Sequence, residues 1–237
     1  MSVLITFDLD NTLWDVDPVL VRAEQAIYHW FDDRFPGFNK EFDTQTLAAL
    51  RRELLQESDP LKTSLPKLRT DSYRIALEQF GLPKEEAETM SQAAFSFFDE
   101  WRQKVDLYPN AAKILWELAN HYRLAVITNG TADVYHKNIG IGGSFEFVLR
   151  ADQQGISKPA AGIFHKAAIQ ANVDVTNIIH IGDHHNDDVY GVNNVGGRSI
   201  WFNRHGARRW SKEWEGIPNA EIHALEELPN TIANLLK

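Results

Sequence analysis

The sequence predicts an α/β fold, a doubly wound parallel sheet interrupted by an inserted helical domain, and three observations predict it. Short β-branched or apolar runs recur along the chain, each followed by turn residues and then a helix-length amphipathic segment. The runs are almost continuously apolar, as strands covered on both faces are. After the first run, an interval of about ninety residues carries helical periodicity and no convincing strand.

Taken in order, strands are expected over 3–7, 124–128, 145–149, 178–182 and 199–202. Helices are expected over 133–138, 160–171, 187–193 and 225–236, and the repeated strand–helix order makes double winding the economical topology. Within the interval, apolar residues at three- and four-residue spacing mark helices over 19–31, 45–55, 69–80 and 85–101. Pro60, Pro66 and the triplet Gly81-Leu82-Pro83 punctuate them. The expected division is a core domain over 1–14 and 107–237 and a helical domain over 15–106. At roughly 150 residues per domain, 237 residues suit one domain with a sizeable insertion.

Composition narrows the function. Hydrophobic residues make up 43% and charged residues 24%, a globular balance able to bury a core. The net charge of −9 repels phosphate backbones and sets generic nucleic-acid binding aside. The absence of cysteine excludes disulfides, Cys-ligated zinc, iron–sulfur clusters and a thiol nucleophile. The start, Met-Ser-Val-Leu-Ile-Thr-Phe-Asp, lacks a basic leader, and no apolar run reaches the roughly 18 residues of a membrane span. A soluble cytoplasmic protein without a membrane partner is expected.

Open parallel sheets bind ligands beyond the carboxyl ends of their strands. Asp8-Leu9-Asp10-Asn11-Thr12 follow the first strand, and Thr128-Asn129-Gly130 end the second. Lys158-Pro159 precede the helix near 160, while Gly182-Asp183 end the fourth strand and lead to Asp187-Asp188. Asp8, Asp10, Asp183, Asp187 and Asp188 set against Lys158 would repel one another or take up protons unless a cation joined them. Hard oxygen ligands point to Mg2+, and hence to phosphoryl chemistry on a small phosphate ester. One aspartate would attack phosphorus and a second carboxylic acid would protonate the leaving alkoxide, while lysine and metal neutralise the equatorial oxygens. Asp8 and Asp10 are the candidates for those two roles.

These segments, with Ile127 before Thr128, Ser157 before Lys158 and Asp188 five residues after Asp183, resemble in order the four motifs of the haloacid dehalogenase superfamily. The resemblance covers nearly the whole chain, and the insertion looks like that superfamily's small α-helical cap. It implies that Asp8 is nucleophile and metal ligand, that Asp10 is general acid/base and ligates through its backbone carbonyl, and that Asp183 is the third ligand. It further implies that Thr128 and the Asn129-Gly130 backbone hold the phosphoryl group, helped by a helix N-terminus, and that Lys158 bridges that group to Asp8. Asp188 would orient metal-bound water or Lys158 from behind, with Asp187 its rival for that place. Members that cleave carbon–halogen bonds lack an acid two residues after the nucleophile, so Asp10 favours phosphate esters. The stretches 144–151 and Trp201-Phe202-Asn203-Arg204 are most similar to bacterial phosphatases of flavin mononucleotide (FMN) and of the riboflavin precursor 5-amino-6-(5-phosphoribitylamino)uracil phosphate. Pyrimidine-nucleotide or sugar-phosphate hydrolysis is the near alternative. A phospho-accepting signalling or metal-binding module is the alternative of another class, and a sugar-phosphate mutase is a third.

Other residues carry competing readings. His180, His184 and His185 with Asp187 can be assembled into a zinc or iron site. His180, however, lies in an apolar strand and reads as a hydrogen-bonded core residue, and His184 stands where the superfamily commonly has a small hydroxyl residue. Tyr28, Trp30, Phe31, Tyr73, Phe95, Phe97, Phe98 and Trp101 read mainly as core, with one or two left to stack on a flat ring. Among Lys62, Lys67 and Arg69, Arg69 is the preferred contact to a second anionic part of the substrate, against plain surface charge for all three. Arg204, Arg208, Arg209 and Lys212, interleaved with Trp201, Trp210 and Trp214, read as a C-terminal structural turn rather than a nucleic-acid patch. Trp14 either packs at the hinge of the insertion or touches substrate.

Overall fold

Six strands form one parallel sheet: β1 (Leu4–Phe7), β2 (Arg123–Thr128), β3 (Phe147–Arg150), β4 (Ile178–Gly182), β5 (Arg198–Phe202) and β6 (Ala220–Ile222). Their spatial order is β3-β2-β1-β4-β5-β6. The computed structural model describes residues 3–57, 64–204, 206, 211 and 214–237. Every residue of β1 and β4 is buried, as central strands with both faces covered must be. The chain lays β2 and β3 on one side of β1 and then returns to place β4 on the other. The order of the strands thus reverses between β1 and β4, and in open parallel sheets ligands bind beyond the carboxyl ends of the strands at such a point.

The chain divides into two compact units, Met1–Asp15 with Asp106–Lys237, and Val16–Val105. The second unit holds α1 (Val16–Arg34), α2 (Phe38–Glu41), α3 (Thr44–Glu57), α4 (Leu65–Gln79) and α5 (Lys84–Arg102). Its core is aromatic. Phe38 stacks on Phe31 at 4.6 Å and on Phe42 at 5.2 Å, and Tyr73 meets Phe31 edge-on at 5.2 Å. Trp30 and Phe98 are buried as well, Phe95, Phe97 and Trp101 are half-buried, and Tyr28 is exposed. Each fully buried ring contributes about 1.5–3 kcal/mol. Pro60 lies outside the described residues, and Pro66 takes the first turn of α4, where a missing N–H is harmless.

The sheet unit adds α6 (Ala111–Ala119), α7 (Ala151–Gln154), α8 (Ala161–Ala171), α9 (Gly191–Asn193) and α10 (Leu228–Leu235), with a π-helical turn over His185–Tyr190 ahead of α9. Several elements depart from the sequence expectation. The segment 133–138 is not a helix but a series of tight turns, His136 N–H donating to Asp133 O and Ile139 N–H to His136 O. Six residues running into Gly140 are too few to offset helix nucleation. The strand expected over 145–149 starts at Phe147, because a 3-10 turn over Gly142–Ser144 and the Phe145 N–H bond to Gly142 O lead into it. The helices α2, α6 and α7 and the three-residue strand β6 have no counterpart in the expected elements. Among the described residues no helix is long and apolar enough to cross a membrane.

Candidate active site

Asp8 leaves β1 with its backbone N–H donating to Ile181 O at 2.9 Å, which ties it to the end of β4. The chain then makes a tight loop in which Asn11 takes a left-handed conformation, φ 60°, that asparagine tolerates. Its N–H bonds Trp14 O at 2.7 Å. The loop turns the Asp10 carboxylate back, where the buried Trp14 indole donates to Oδ1 at 2.8 Å. The Asp10 carboxylate lies close against Gly130, where any Cβ would collide with it. At the end of β2, Thr128 Oγ1 accepts the Gly130 N–H at 3.0 Å.

Lys158 enters from the loop before α8, and its amide backbone is clamped by Asn129. The Asn129 side chain accepts from Lys158 N–H at 2.9 Å and donates to Lys158 O at 3.0 Å. It also donates to Asp187 at 3.2 Å. The Lys158 ammonium donates to Asp8 Oδ1 at 2.7 Å and to Asp188 Oδ1 at 2.6 Å. All three residues are buried, at 3%, 8% and 1% exposure. The π-helical turn carries Asp188 inward, so that its Oδ2 accepts His184 N–H at 2.8 Å and its Oδ1 is paired with His180 Nε2 at 3.0 Å. Gly182 makes room, since a Cβ there would strike the Asp188 carboxyl.

The electrostatics follow from burial and a shared cation. Burial, reinforced by the Asp188 and Asp10 carboxylates, outweighs Lys158 and pushes the Asp8 carboxyl up to about 7. Burial would raise Asp188 too, but Lys158 and His180 outweigh it and hold that carboxyl well below the usual carboxylate range. Burial likewise works against the Lys158 charge, yet its two carboxylates prevail and lift it above the ordinary lysine value. His180 is pushed down by burial, Asp188 opposing. The cluster is short of positive charge, and a divalent cation would supply it.

Asp8, Asp183 and Asp188 each bring a carboxylate oxygen within 4.8 Å of the others. Both oxygens of Asp188 are already engaged by Lys158, His180 and His184, so Asp8 and Asp183 offer the carboxylates suited to a cation. The donors are hard oxygens and fit Mg2+. Asp183 is steadied through its backbone, its carbonyl accepting the Trp201 indole N–H at 2.9 Å.

The histidines do not assemble into a metal group among the described residues. His180 has both ring nitrogens paired, and His185 stacks between His184 at 4.9 Å and Trp214 at 4.2 Å. Arg69 belongs to the helical unit, where it donates to Glu24 at 2.6 Å and to the Tyr73 hydroxyl at 3.2 Å and lies 3.6 Å from the Phe98 ring centroid. Lys67 pairs with Asp71 at 2.7 Å. Arg204 stacks on Tyr108 at 3.8 Å. Lys62, Arg208, Arg209, Trp210 and Lys212 lie outside the described residues. Sequence reasoning missed the bond from Trp14 to Asp10, for which four-residue spacing was the available signal, and the seat that Gly182 makes for Asp188.

The family model for haloacid dehalogenase-like hydrolases matches residues 3–196. The 5-amino-6-(5-phospho-D-ribitylamino)uracil phosphatase YigB of Escherichia coli (strain K12) is 32% identical over 96% of this chain and 95% of its own. A glyceraldehyde 3-phosphate phosphatase of Pyrococcus abyssi is 28% identical over 99% of this chain and 95% of its own. Among solved structures, a 2-haloacid dehalogenase from Pseudomonas syringae pv. Tomato DC3000 superposes with a TM-score of 0.92 at 36% identity, covering 99% of this chain and all of that one.

Proposed function

The chain belongs to the haloacid dehalogenase-like hydrolases and is a phosphatase of that family, and from that premise we propose that it hydrolyses a small phosphate monoester through a phospho-Asp8 intermediate, with Mg2+ as its cation. The observation that carries this reading is the Lys158 ammonium 2.7 Å from Asp8 Oδ1, with the Asp10 carboxyl two residues on and bonded by Trp14.

Asp8 attacks phosphorus, and as that bond forms the ester P–O bond breaks and the leaving alkoxide takes the proton of Asp10. Asp10, now a carboxylate, takes a proton from water as the water attacks the phospho-aspartate. Phosphate leaves, the Asp8 carboxylate is restored and Asp10 is again protonated. Lys158 neutralises charge on Asp8 and on the transferring oxygens, and Asp188 steadies it. Thr128, which accepts the Gly130 N–H, has its own hydroxyl proton to offer an equatorial oxygen. The Asn129 side chain is spent on the Lys158 loop, so in this reading Asn129 contributes through its backbone. Held by the Asp8 and Asp183 carboxylates and the Asp10 carbonyl, Mg2+ would supply neutralising charge to the phosphoryl oxygens.

For substrate we propose FMN or 5-amino-6-(5-phosphoribitylamino)uracil phosphate in the cytoplasm, which the 32% identity to the E. coli enzyme supports. The Pyrococcus match favours a sugar phosphate as the second reading. Against carbon–halogen cleavage, suggested by the P. syringae structure, stands Asp10, because a departing halide needs no proton.

The test is release of phosphate from FMN, the uracil precursor, pyrimidine mononucleotides and sugar phosphates, each with Mg2+ and with excess chelator, beside halide release from a 2-haloacid. Metal-dependent phosphate release led by FMN or the precursor is expected. Release spread evenly over the panel would remove the substrate proposal and leave the mechanism, and halide release would overturn both. In the same assay Asp8→Asn is expected to lose at least about a thousandfold in turnover, and near-wild-type turnover of folded variant would rule Asp8 out as nucleophile.

A further inference from the structure

We propose that Thr6 and His180 are positioning residues for the reaction, a buried relay that fixes Asp188 and through it holds the Lys158 ammonium on Asp8. The inference rests on the reading above that Asp8 and Lys158 carry the chemistry.

β1 and β4 are neighbours in a register that sets Thr6 directly beside His180. Both side chains are wholly buried in strands otherwise built from Leu4, Ile5, Phe7, Ile178, Ile179, Ile181 and Gly182. A hydroxyl and an imidazole in so apolar a place are costly unless every polar atom is paired, and here they pair with each other. Thr6 Oγ1 lies 2.8 Å from His180 Nδ1, and the opposite ring nitrogen, Nε2, lies 3.0 Å from Asp188 Oδ1. The edge-to-face contact with Phe164 at 5.5 Å braces the ring. A core position needing only volume would be filled more cheaply by another isoleucine.

Charge sets the direction of the relay. Asp188 Oδ1 already accepts from Lys158, so it can only accept from His180, and Nε2 must carry the hydrogen. Nδ1 is then oriented by Thr6. With His184 N–H on Oδ2 and the Gly182 backbone against its face, the Asp188 carboxylate cannot rotate. Lysine is a point charge on a flexible four-carbon stem, and a fixed Asp188 is what confines Nζ to the spot 2.7 Å from Asp8. Outer hydrogen-bond partners of this kind typically change activity about 10–100-fold when removed.

The experiment compares His180→Leu, His180→Gln, Thr6→Val and Asp8→Asn with the wild type, using p-nitrophenyl phosphate turnover and 15N NMR of the His180 ring in the intact wild-type protein. The ring is expected to carry its hydrogen on Nε2. His180→Leu is expected to lose about 10–100-fold in kcat with KM changed less than about threefold. His180→Gln, which can still present an N–H to Asp188, should recover most of that loss, and Thr6→Val should lose about threefold to tenfold. A purely structural role would lower Tm in both His180 variants and leave kcat of the folded protein at the wild-type value, which overturns the proposal. A ring hydrogen on Nδ1 with Nε2 bare also overturns it. If His180→Leu does not fold, the ring measurement and Thr6→Val decide by the same criteria. Persistent activity in Asp8→Asn would instead fell the underlying reading, with the relay's catalytic consequence going with it.

Discussion

In the sheet unit one lysine lies between two aspartates, and in the helical unit one glutamate lies between two arginines. Lys158 reaches Asp8 and Asp188 at 2.7 and 2.6 Å, and the lysine and Asp188 side chains are each 2% exposed. Glu24 receives Arg69 at 2.6 Å and Arg51 at 3.3 Å, with side chains 14–22% exposed. Asp188 has both oxygens engaged, whereas Glu24 Oε2 and Arg51 Nη1 are buried without a partner. Burial and then Arg69 push the Arg51 guanidinium below its usual value. In the sheet cluster Asp188 is fully paired and the excess of carboxylate over Lys158 is what a bound cation would offset, whereas the helical cluster leaves polar atoms unpaired in side chains that water partly reaches. That contrast supports the catalytic role proposed for the sheet cluster and a structural one for the helical cluster.

Three substitutions would break or sharpen that contrast. Lys158→Met leaves Asp8 and Asp188 facing each other without their shared cation. Turnover is expected to fall about a hundred- to a thousandfold, measured as phosphate release by folded protein, and a loss below tenfold would demote Lys158 to a structural ion pair. Glu24→Gln strips the carboxylate from Arg51 and Arg69 and is expected to cost about 1–3 kcal/mol in chemical denaturation, less than a fully buried pair would because water reaches these side chains. An unchanged denaturation midpoint would mean the arginines find other partners. Trp14→Phe removes the indole N–H from Asp10 and nothing else polar, a loss of about 1 kcal/mol in positioning. A severalfold drop in kcat at constant KM is expected, and a rise in KM alone would assign Trp14 to substrate contact.

Much of this cluster is legible in the sequence, and the reason is geometric. In a parallel sheet the residue after an apolar run lies at a known edge, so Asp8, Thr128 and Asp183 could be placed in one crevice from spacing. The choice between Asp187 and Asp188 could not, because it depends on the π-helical turn. There the N–H groups of both Asp188 and Val189 point to His184 O, and the extra residue turns Asp188 inward while Asp187 reaches Asn129. The Thr6–His180 pair was equally hidden, since strand adjacency is set by crossovers and not by proximity in sequence. The helix α6 lacks punctuation in the sequence. It passes through Asn120-His121-Tyr122 into β2 without a glycine or proline to mark its end.

Trp14 and Leu107 pair as an isolated antiparallel bridge, and Tyr108 N–H donates to Leu13 O at 2.8 Å. Residues so paired lie about 5 Å apart, so the polypeptide departs from the sheet unit and returns to it at nearly the same point. The entropy of closing a loop grows only logarithmically with its length, so holding these two ends together costs the sheet unit only a little more with the helical unit between them than with a short turn. To a genome this is a splice site at the protein level: an insertion or exchange between codons 15 and 106 changes the chain at one point of the sheet unit and leaves the order of all six strands as it is.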